Sequence, residues 1–345
     1  MKNIALFILS ICLFFSCSQQ KEKPYKIGQK SIHFVDDSRN RPLATEIWYP
    51  TLDNIISKKQ KGSPNELFKA IETIPNAAIA NEKFPLLIIS HGTGGNRFSM
   101  TWFIEKMVME GYIVVSLDHY GNSTFNKIPR EFVKWWERAI DVQYVLTETL
   151  KNNEFASKID TSKIGGVGFS LGGYTNIALA GGYVDRTVRE NENAAERKMP
   201  VEFPKTEETI NFQNDSLIVA SYNKYKNRVK DNRIKAFFVM APAIGFGFHS
   251  KEQTNRITAP VFIVAGKGDK VAPIKTNAEK YHSLINTSKI YLFNENVEHY
   301  VFLNEATDFG KEIAPAITID KPTVARRKIH EETVNLALGF FESTL

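Results

Sequence analysis

Cysteine is nearly absent from this sequence, whose 345 residues include only Cys12 and Cys17. A domain that depends on disulfides carries several pairs of cysteines, so this composition excludes a disulfide framework. Metal-binding motifs such as His-Glu-x-x-His are missing as well, and no group of ligand residues has the spacing of a metal site. The sequence therefore predicts a protein that uses neither a metal nor another cofactor.

An excess of charge of one sign is also lacking. Lys and Arg number 44 and Asp and Glu 38, and the two kinds are mixed along the whole chain. Long basic blocks and stripes of basic and aromatic residues, which mark nucleic-acid-binding surfaces, are not found. We therefore expect no nucleic-acid partner. Hydrophobic residues make up 43% of the chain, which at this length predicts a globular protein with one large core.

The first segment of the chain has the pattern of an export signal. The apolar stretch Ile4–Phe15 is too short to span a bilayer and is typical of a secretory signal peptide. Phe-Phe-Ser-Cys at residues 14–17 resembles a bacterial lipobox, which predicts a signal over 1–16 and a lipid on Cys17. Residues 17–26 would then be a polar tether to a membrane of the cell envelope, in the periplasm or at the cell surface. An ordinary cleaved signal, giving a soluble periplasmic or secreted protein, is the alternative.

Beyond this segment, apolar runs rich in branched and aromatic residues alternate with helical patterns. The predicted strands are Ser31–Val35, Ala44–Tyr49, Leu86–Ser90, Ile113–Leu117, Ile164–Phe169, Ala236–Met240, Val261–Ala265 and Ile290–Phe293. The predicted helices are Phe98–Glu110, Arg130–Lys151, Gly172–Ala180, Lys275–Asn286 and Val324–Ser343. Most of the later runs are unbroken rather than alternating, as in parallel strands that are buried on both faces.

This alternation predicts an α/β fold over residues 27–345, with a mostly parallel sheet of about eight strands flanked by helices. Two segments depart from it. The polar segment Asp53–Lys83 predicts a long loop with a short helix. Residues 183–232 are rich in charge and lack strand patterns, which indicates an inserted lid.

The stretch from Lys163 to Asn176 places Ser170 between glycines, at the point where a predicted strand ends and a predicted helix begins. This is the setting of a nucleophile elbow, a sharp turn that exposes a serine hydroxyl above the edge of the sheet. Gly168 and Gly172 would leave room for such a turn. The sequence therefore predicts that Ser170 is a catalytic nucleophile.

A serine hydroxyl needs a histidine as its base and a carboxylate that orients the histidine. His299 follows the last predicted strand, and Asp269 follows Val261–Ala265, so the order serine, acid, histidine is that of the nucleophile-elbow enzymes. We therefore predict Asp269 as the acid and His299 as the base. Glu298 is the alternative acid, and His330 is expected at the surface.

A substrate oxyanion would need fixed hydrogen-bond donors. The strand Leu86–Ser90 runs into a glycine-rich turn, His-Gly-Thr-Gly-Gly at residues 91–95, and the predicted donors are the N–H groups of Thr93 and Leu171. His91 is expected to brace this turn. The predicted substrate pocket comprises Gly92, Phe98, Phe246 and Tyr300. Trp102, Phe248 and Phe302 also fall where an acyl pocket would form, and about half of these six aromatic residues are expected to serve packing instead.

From about residue 26 to 345 the sequence resembles the α/β-hydrolase family. Four segments resemble the branch of platelet-activating-factor acetylhydrolases and bacterial dienelactone-hydrolase-like proteins: Ser90–Gly95, Leu117–Asn122, Gly168–Gly173 and the tail from Gly268-Asp269 to His299. The resemblance implies ester hydrolysis through an acyl-enzyme, on a small, short-acyl or lipid-like ester. One alternative is an esterase that acts on acylated polysaccharide or another polymer outside the cell. Another is a binding protein that keeps the fold without catalysis.

Overall fold

The computed structural model describes residues 25–53, 66–186, 202–204 and 213–345. The predicted signal peptide, the lipidation site Cys17 and nearly all of the tether lie outside the described residues. No helix within the described ranges is long and apolar enough to cross a membrane.

The described residues form one sheet of nine strands. The strands are β1 (Lys26–Asp36), β2 (Arg41–Thr51), β3 (Ile74–Pro75), β4 (Phe84–Ser90), β5 (Ile113–Leu117), β6 (Ile159–Phe169), β7 (Ala236–Met240), β8 (Val261–Gly266) and β9 (Ser288–Phe293). Their order across the sheet is β3-β1-β2-β5-β4-β6-β7-β8-β9. β2 pairs antiparallel with β1 and β5, and every pair from β5 to β9 is parallel. The predicted α/β architecture with a mostly parallel sheet is confirmed.

Each predicted strand coincides with an observed one, although several extend further. β6 begins at Ile159 rather than Ile164, because its first part is largely exposed and carries no apolar run. β3 was not predicted, since two residues that include a proline leave no pattern.

Eight α-helices lie within the described part of the chain. They are α1 (Thr101–Met109), α2 (Trp135–Lys151), α3 (Leu171–Ala180), α4 (Ser216–Tyr225), α5 (Ala278–Leu284), α6 (Asp308–Ile313), α7 (Pro315–Thr318) and α8 (Arg326–Thr344). α2 begins at Trp135 rather than Arg130, because the residues before it form a turn in which Val133 N–H donates to Arg130 O. The short helices α4, α6 and α7 were not predicted.

The helices cover both faces of the sheet. In β4, Leu86 and Ile88 pack with α2, α3 and α5 on one face, whereas Leu87 and Ile89 pack with α1 and α8 on the other. Successive side chains of a strand point to opposite faces, so a strand buried on both sides is apolar throughout. Strands β4 to β9 all run in the same direction. Their carboxyl ends therefore lie at one edge of the sheet, where ligands bind in folds of this kind.

The described parts of the predicted lid, 183–232, contain α4 and the segment Glu202–Pro204. α4 is attached to α2 by a hydrogen bond from Trp136 Nε1 to Ser221 Oγ at 2.8 Å, and Ile218 of α4 is buried. In the segment Asp53–Lys83, the described residues contain β3 and no helix. The lid boundaries and the role of the insertion as a lid stay predictions.

Candidate active site

Ser170 occupies the sharp turn between β6 and α3. Its backbone has φ 55° and ψ −118°, a conformation that residues other than glycine rarely adopt. Hydrogen bonds to the end of β7 and to the loop after it hold Ser170 there: its N–H donates to Met240 O at 2.9 Å, and its O accepts from Ala243 N–H at 3.0 Å. The surrounding structure therefore maintains the strain that directs the hydroxyl away from the strand.

Two glycines permit this turn by leaving space rather than by their backbone angles. A Cβ on Gly172 would lie 1.8 Å from Ser90 O, and one on Gly168 would lie 2.0 Å from Gly172 O. Both distances are far shorter than a van der Waals contact with a backbone oxygen, so no side chain fits at either position. β4, β6 and α3 can therefore approach closely at this edge of the sheet.

The structure brings the predicted acid and base to Ser170. The Ser170 hydroxyl lies 2.9 Å from His299 Nε2, and His299 Nδ1 lies 2.6 Å from Asp269 Oδ2. Asp269 is held by the N–H groups of Val271 and Ala272, which donate to its Oδ1 at 2.9 and 2.7 Å. All members of this elbow triad, Ser170, His299 and Asp269, are buried. The alternative acid Glu298 instead pairs with Lys321 at 3.1 Å near the surface.

The glycine-rich turn after β4 lies directly beside Ser170. A Cβ on Gly92 would lie 3.3 Å from Ser170 Cβ. Asn122 Oδ1 accepts the N–H of Gly94 at 2.9 Å. For the N–H groups of Thr93 and Leu171, in contrast, the structure gives no acceptor among the residues that it describes. Leu171 is the first residue of α3, where an N–H has no acceptor within the helix. Both are backbone donors of the kind that binds an oxyanion.

Residues 68–254, more than half of the chain, match the family model described as the dienelactone hydrolase family. This chain belongs to the dienelactone hydrolase family. The predicted resemblance to α/β-hydrolases of the dienelactone-hydrolase-like branch is thereby confirmed. The matched segment contains Ser170 and the turn after β4, whereas Asp269 and His299 lie beyond it.

Curated relatives of this dienelactone hydrolase family member include two cutinases. It is 22% identical over 222 residues to cutinase est1 of Thermobifida alba, covering 64% of this chain and 55% of the relative. It is 20% identical over 222 residues to cutinase 2 of Thermobifida cellulosilytica, covering 64% of this chain and 62% of that relative. The chain thus spans a little over half the length of these relatives. A ferulic acid esterase from Streptomyces cinnamoneus has a similar fold, with a TM-score of 0.59 and 17% identity. The match covers 95% of this chain and 92% of the esterase chain.

The predicted pocket residues have different surroundings. Tyr300 packs edge-on against the His299 ring at 5.2 Å, and its hydroxyl donates to Glu202 Oε1 at 3.2 Å. Phe246 packs against Trp135 at 5.7 Å, and Phe98 against Trp48 at 5.9 Å. These three aromatic residues are partly exposed, whereas Trp102, Phe248 and Phe302 are buried in the core. The roles of Gly92, Phe98, Phe246 and Tyr300 in binding stay predictions.

His91 is buried under the glycine-rich turn. Its Nε2 accepts the N–H of His119 at 3.2 Å, so the proton of a neutral ring lies on Nδ1, which donates to Gly92 O at 2.6 Å. Burial lowers the pKa of His91 well below its ordinary value, which favours this neutral form. These contacts agree with the expected bracing role.

A second chain of serine, histidine and aspartate was not predicted. Ser90 Oγ lies 2.9 Å from His119 Nε2, and His119 Nδ1 lies 3.2 Å from Asp141 Oδ2. We call these three residues the inner chain. Burial, helped by the positive charge of Arg138, lowers the pKa of His119 to about 3. The signals in the sequence were Ser90–Gly95, which begins with Ser90, and Leu117–Asn122, which begins at the last residue of β5 and contains His119.

Contrary to expectation, His330 is not at the surface, since only 5% of it is exposed. Its ring stacks on that of Trp102 at 3.8 Å, and its Nε2 donates to Val301 O at 2.7 Å. Trp102 Nε1 donates to the next carbonyl, Phe302 O, at 2.9 Å. Two buried rings thus hold the short turn that begins with His299. Burial lowers the pKa of His330 to about 4.

Within the described ranges, no three or more His, Cys, Asp or Glu side chains are grouped so that they could hold a metal ion.

Proposed function

We propose that this protein is a serine hydrolase that cleaves carboxylic esters through an acyl-enzyme. The observation that carries the proposal is the hydrogen-bonded elbow triad at a strained turn, beside two backbone N–H groups. Membership of the dienelactone hydrolase family supports it, as do relatives that are named as cutinases. In the fold neighbour, the same architecture belongs to a ferulic acid esterase.

The proposed reaction begins when the Ser170 oxygen attacks the ester carbonyl carbon and His299 Nε2 takes the hydroxyl proton. Asp269 Oδ2 accepts a hydrogen bond from His299 Nδ1–H, which orients the ring and stabilises its charged form. The N–H groups of Thr93 and Leu171 donate to the carbonyl oxygen as it becomes negative. The alcohol then leaves with the proton from His299, and Ser170 retains the acyl group.

Water completes the cycle. His299 takes a proton from the water as its oxygen attacks the acyl carbon, and it returns that proton to Ser170 Oγ when the acid leaves. The reaction needs no oxidant, reductant or bound metal ion.

We propose small or short-acyl esters as the substrates, bound beside Gly92, Phe246 and Tyr300. The tight approach of Gly92 to Ser170 supports a compact acyl site. A second candidate is an ester of a polysaccharide or other polymer outside the cell, which the names of the cutinases and the ferulic acid esterase favour. Hydrolysis of small soluble esters and of acetylated or feruloylated polysaccharide, measured side by side, distinguishes the two.

The decisive experiment is covalent labelling with a fluorophosphonate, which reacts with activated serines, followed by mass spectrometry to locate the adduct. We expect a single adduct on Ser170 that is absent from Ser170→Ala. We also expect the variant to hydrolyse a chromogenic acetate ester at least about 10⁴-fold more slowly. A folded wild-type protein that stays unlabelled would instead support a binding protein that keeps the fold.

We further propose export and attachment to the cell envelope through a lipid on Cys17. Intact-mass measurement of the protein from a membrane fraction tests this, with Cys17→Ala as the control. A mature chain that is unmodified and found only in the soluble fraction would contradict lipid attachment and support an ordinary signal peptide.

A further inference from the structure

The two proposed oxyanion donors lie on different segments of the chain. Thr93 belongs to the turn after β4, and Leu171 begins α3 after β6. An oxyanion hole works only if its donors keep a fixed spacing, because stabilisation of the transition state depends on their geometry. The contacts that hold the segment of Thr93 against that of Leu171 should therefore affect catalysis.

Arg138, near the start of α2, reaches the turn that carries Thr93. This arginine is buried, and its Nη2 donates to His91 O and, at 3.3 Å, to Ser90 Oγ. Its Nη1 donates at 3.4 Å to Asn122 Oδ1. That oxygen also accepts the N–H of Gly94, the residue after Thr93. The guanidinium thus restrains the chain on both sides of Thr93.

The third nitrogen of Arg138, Nε, reaches the segment that contains Leu171. Its Nε donates to Thr175 Oγ1 at 3.2 Å, and the Thr175 hydroxyl donates to Leu171 O at 3.0 Å. Thr175 is fully buried in α3, one turn after Leu171. One planar guanidinium therefore connects the segment of Thr93 with that of Leu171. The geometry of a guanidinium is fixed, so its contacts also fix the spacing between their acceptors.

The charge of Arg138 makes these contacts strong. Hydrogen bonds from a charged donor are roughly twice as strong as neutral ones, and all four acceptors here are neutral oxygens. Burial lowers the pKa of Arg138 to about 9 against the opposing effect of Asp141, which leaves it protonated at neutral pH. Asp141 lies one turn further along α2 and belongs to the inner chain.

We propose that Arg138 is a positioning residue that sets the spacing of the Thr93 and Leu171 N–H groups. This inference rests on the proposed function. Donors that stabilise the transition state more than the bound ester act mainly on kcat. Loss of Arg138 should therefore lower kcat while leaving KM nearly unchanged, whereas a residue that only stabilises the fold would lower the free energy of unfolding without that selectivity.

The test compares Arg138→Lys and Arg138→Gln with wild type in ester hydrolysis and in urea unfolding. We expect Arg138→Gln to lower kcat on the order of 10²-fold, as for loss of one oxyanion donor, with KM within about threefold. Arg138→Lys should fall between the two, because lysine keeps the charge but loses the fork. Inhibition by a boronic acid, which mimics the tetrahedral intermediate, should weaken by a similar factor to kcat.

Arg233→Gln is the matched control. Arg233 also links α2 to another segment, with bonds to Thr147 Oγ1 at 2.8 Å and Gln143 O at 3.0 Å, but it makes none of the contacts of Arg138. We expect it to lower the free energy of unfolding while kcat stays within about twofold.

Thr175→Val tests the proposal even if the Arg138 variants do not fold, since it removes one hydroxyl and nearly preserves volume. We expect it to lower kcat about tenfold, and to add little in an Arg138→Gln background because the two residues act through one link. Fluorophosphonate labelling of the wild-type protein decides the proposed function separately. If that protein is labelled on Ser170, wild-type kcat in folded Thr175→Val, or in folded Arg138→Gln, would overturn the positioning role alone.

Discussion

The elbow triad and the inner chain contain the same three side-chain types in the same order of contact. In both, the serine oxygen lies 2.9 Å from a histidine Nε2. The histidine Nδ1 lies 2.6 Å from Asp269 in the elbow triad and 3.2 Å from Asp141 in the inner chain. Ser170, Asp269 and His299 each follow a parallel strand, whereas Ser90 ends β4, His119 follows β5 and Asp141 lies in α2. The two sets also differ in the backbone and in the neighbouring charges.

The two serines differ first in their backbone conformation. Ser90 is the last residue of a regular strand and pairs with Leu117 and Gly168 on either side. Ser170 lies one residue beyond its strand, at φ 55°, where the chain turns sharply into α3. Only the second arrangement places a serine directly before a helix N-terminus, where N–H groups lack acceptors.

The two histidines differ in the charges of their neighbours. His119 lies among buried arginines, and burial together with the charge of Arg138 lowers its pKa to about 3. At neutral pH it is too weak a base to take a serine proton. Asp141 is also engaged by Arg41 at 2.9 Å, whereas Asp269 is held by backbone N–H groups. Side-chain distances alone therefore do not identify a catalytic triad.

The largest contrast should come from the two aspartates. Asp269→Asn should lower kcat by about 10⁴-fold, because an amide disfavours the histidine tautomer that the reaction needs. Asp141→Asn should lower the free energy of unfolding by about 3 kcal/mol, because it removes one of the three carboxylates that pair with the buried Arg41. Its kcat should stay within about tenfold.

Ester kinetics and urea unfolding of both variants measure this contrast. If folded Asp141→Asn lost as much kcat as Asp269→Asn, the inner chain would belong to the catalytic machinery and the contrast would fail.

An intermediate effect should appear in the dependence of stability on pH. His119 and His330 have folded pKa values of about 3 and about 4, below the ordinary 6.5. The unfolded chain therefore binds more protons between pH 6.5 and 4, so the free energy of unfolding should fall as pH falls through this window. Each histidine should contribute up to about 3 kcal/mol.

Urea unfolding at several pH values, with His119→Gln and His330→Gln, checks this expectation. Each variant should flatten the dependence, and substitution of the exposed His33 by Gln should not. A wild-type stability that is constant from pH 6.5 to 4 would show that these imidazoles are not buried as neutral groups.

The smallest effect should come from Ser90→Ala. It removes a hydroxyl that contacts His119 and Arg138, so the free energy of unfolding should fall by about 1–2 kcal/mol. We expect kcat to change less than about fivefold, against the loss of at least about 10⁴-fold for Ser170→Ala. A loss of more than 100-fold in folded Ser90→Ala, measured on the same ester, would remove the functional distinction between the two serines.

The members of the elbow triad could be predicted from the sequence. Ser170, Asp269 and His299 each follow a strand, and local patterns locate strands because a buried parallel strand is apolar throughout. Since the carboxyl ends of parallel strands meet at one edge, strand positions and chain order were enough to expect these residues together.

Arg138, Asp141 and His330 could not be found in this way. They lie within helices, where a charged or polar residue is normally expected to face solvent. α2 instead turns Arg138 and Asp141 inward, because β2 and the turn after β4 supply partners from distant parts of the chain. No local pattern records such partners, so the burial of these residues was not predicted.

The sequence by itself determined the alternation of strands and helices and the glycines that allow close approach at the elbow. These follow from the local sterics and hydrophobicity of short segments. Only the tertiary structure decided which histidine contacts the serine of the elbow and which lies beside the buried Arg138 and Arg41. Burial and neighbouring charge control the basicity of an imidazole, and both depend on residues that are far apart in the chain.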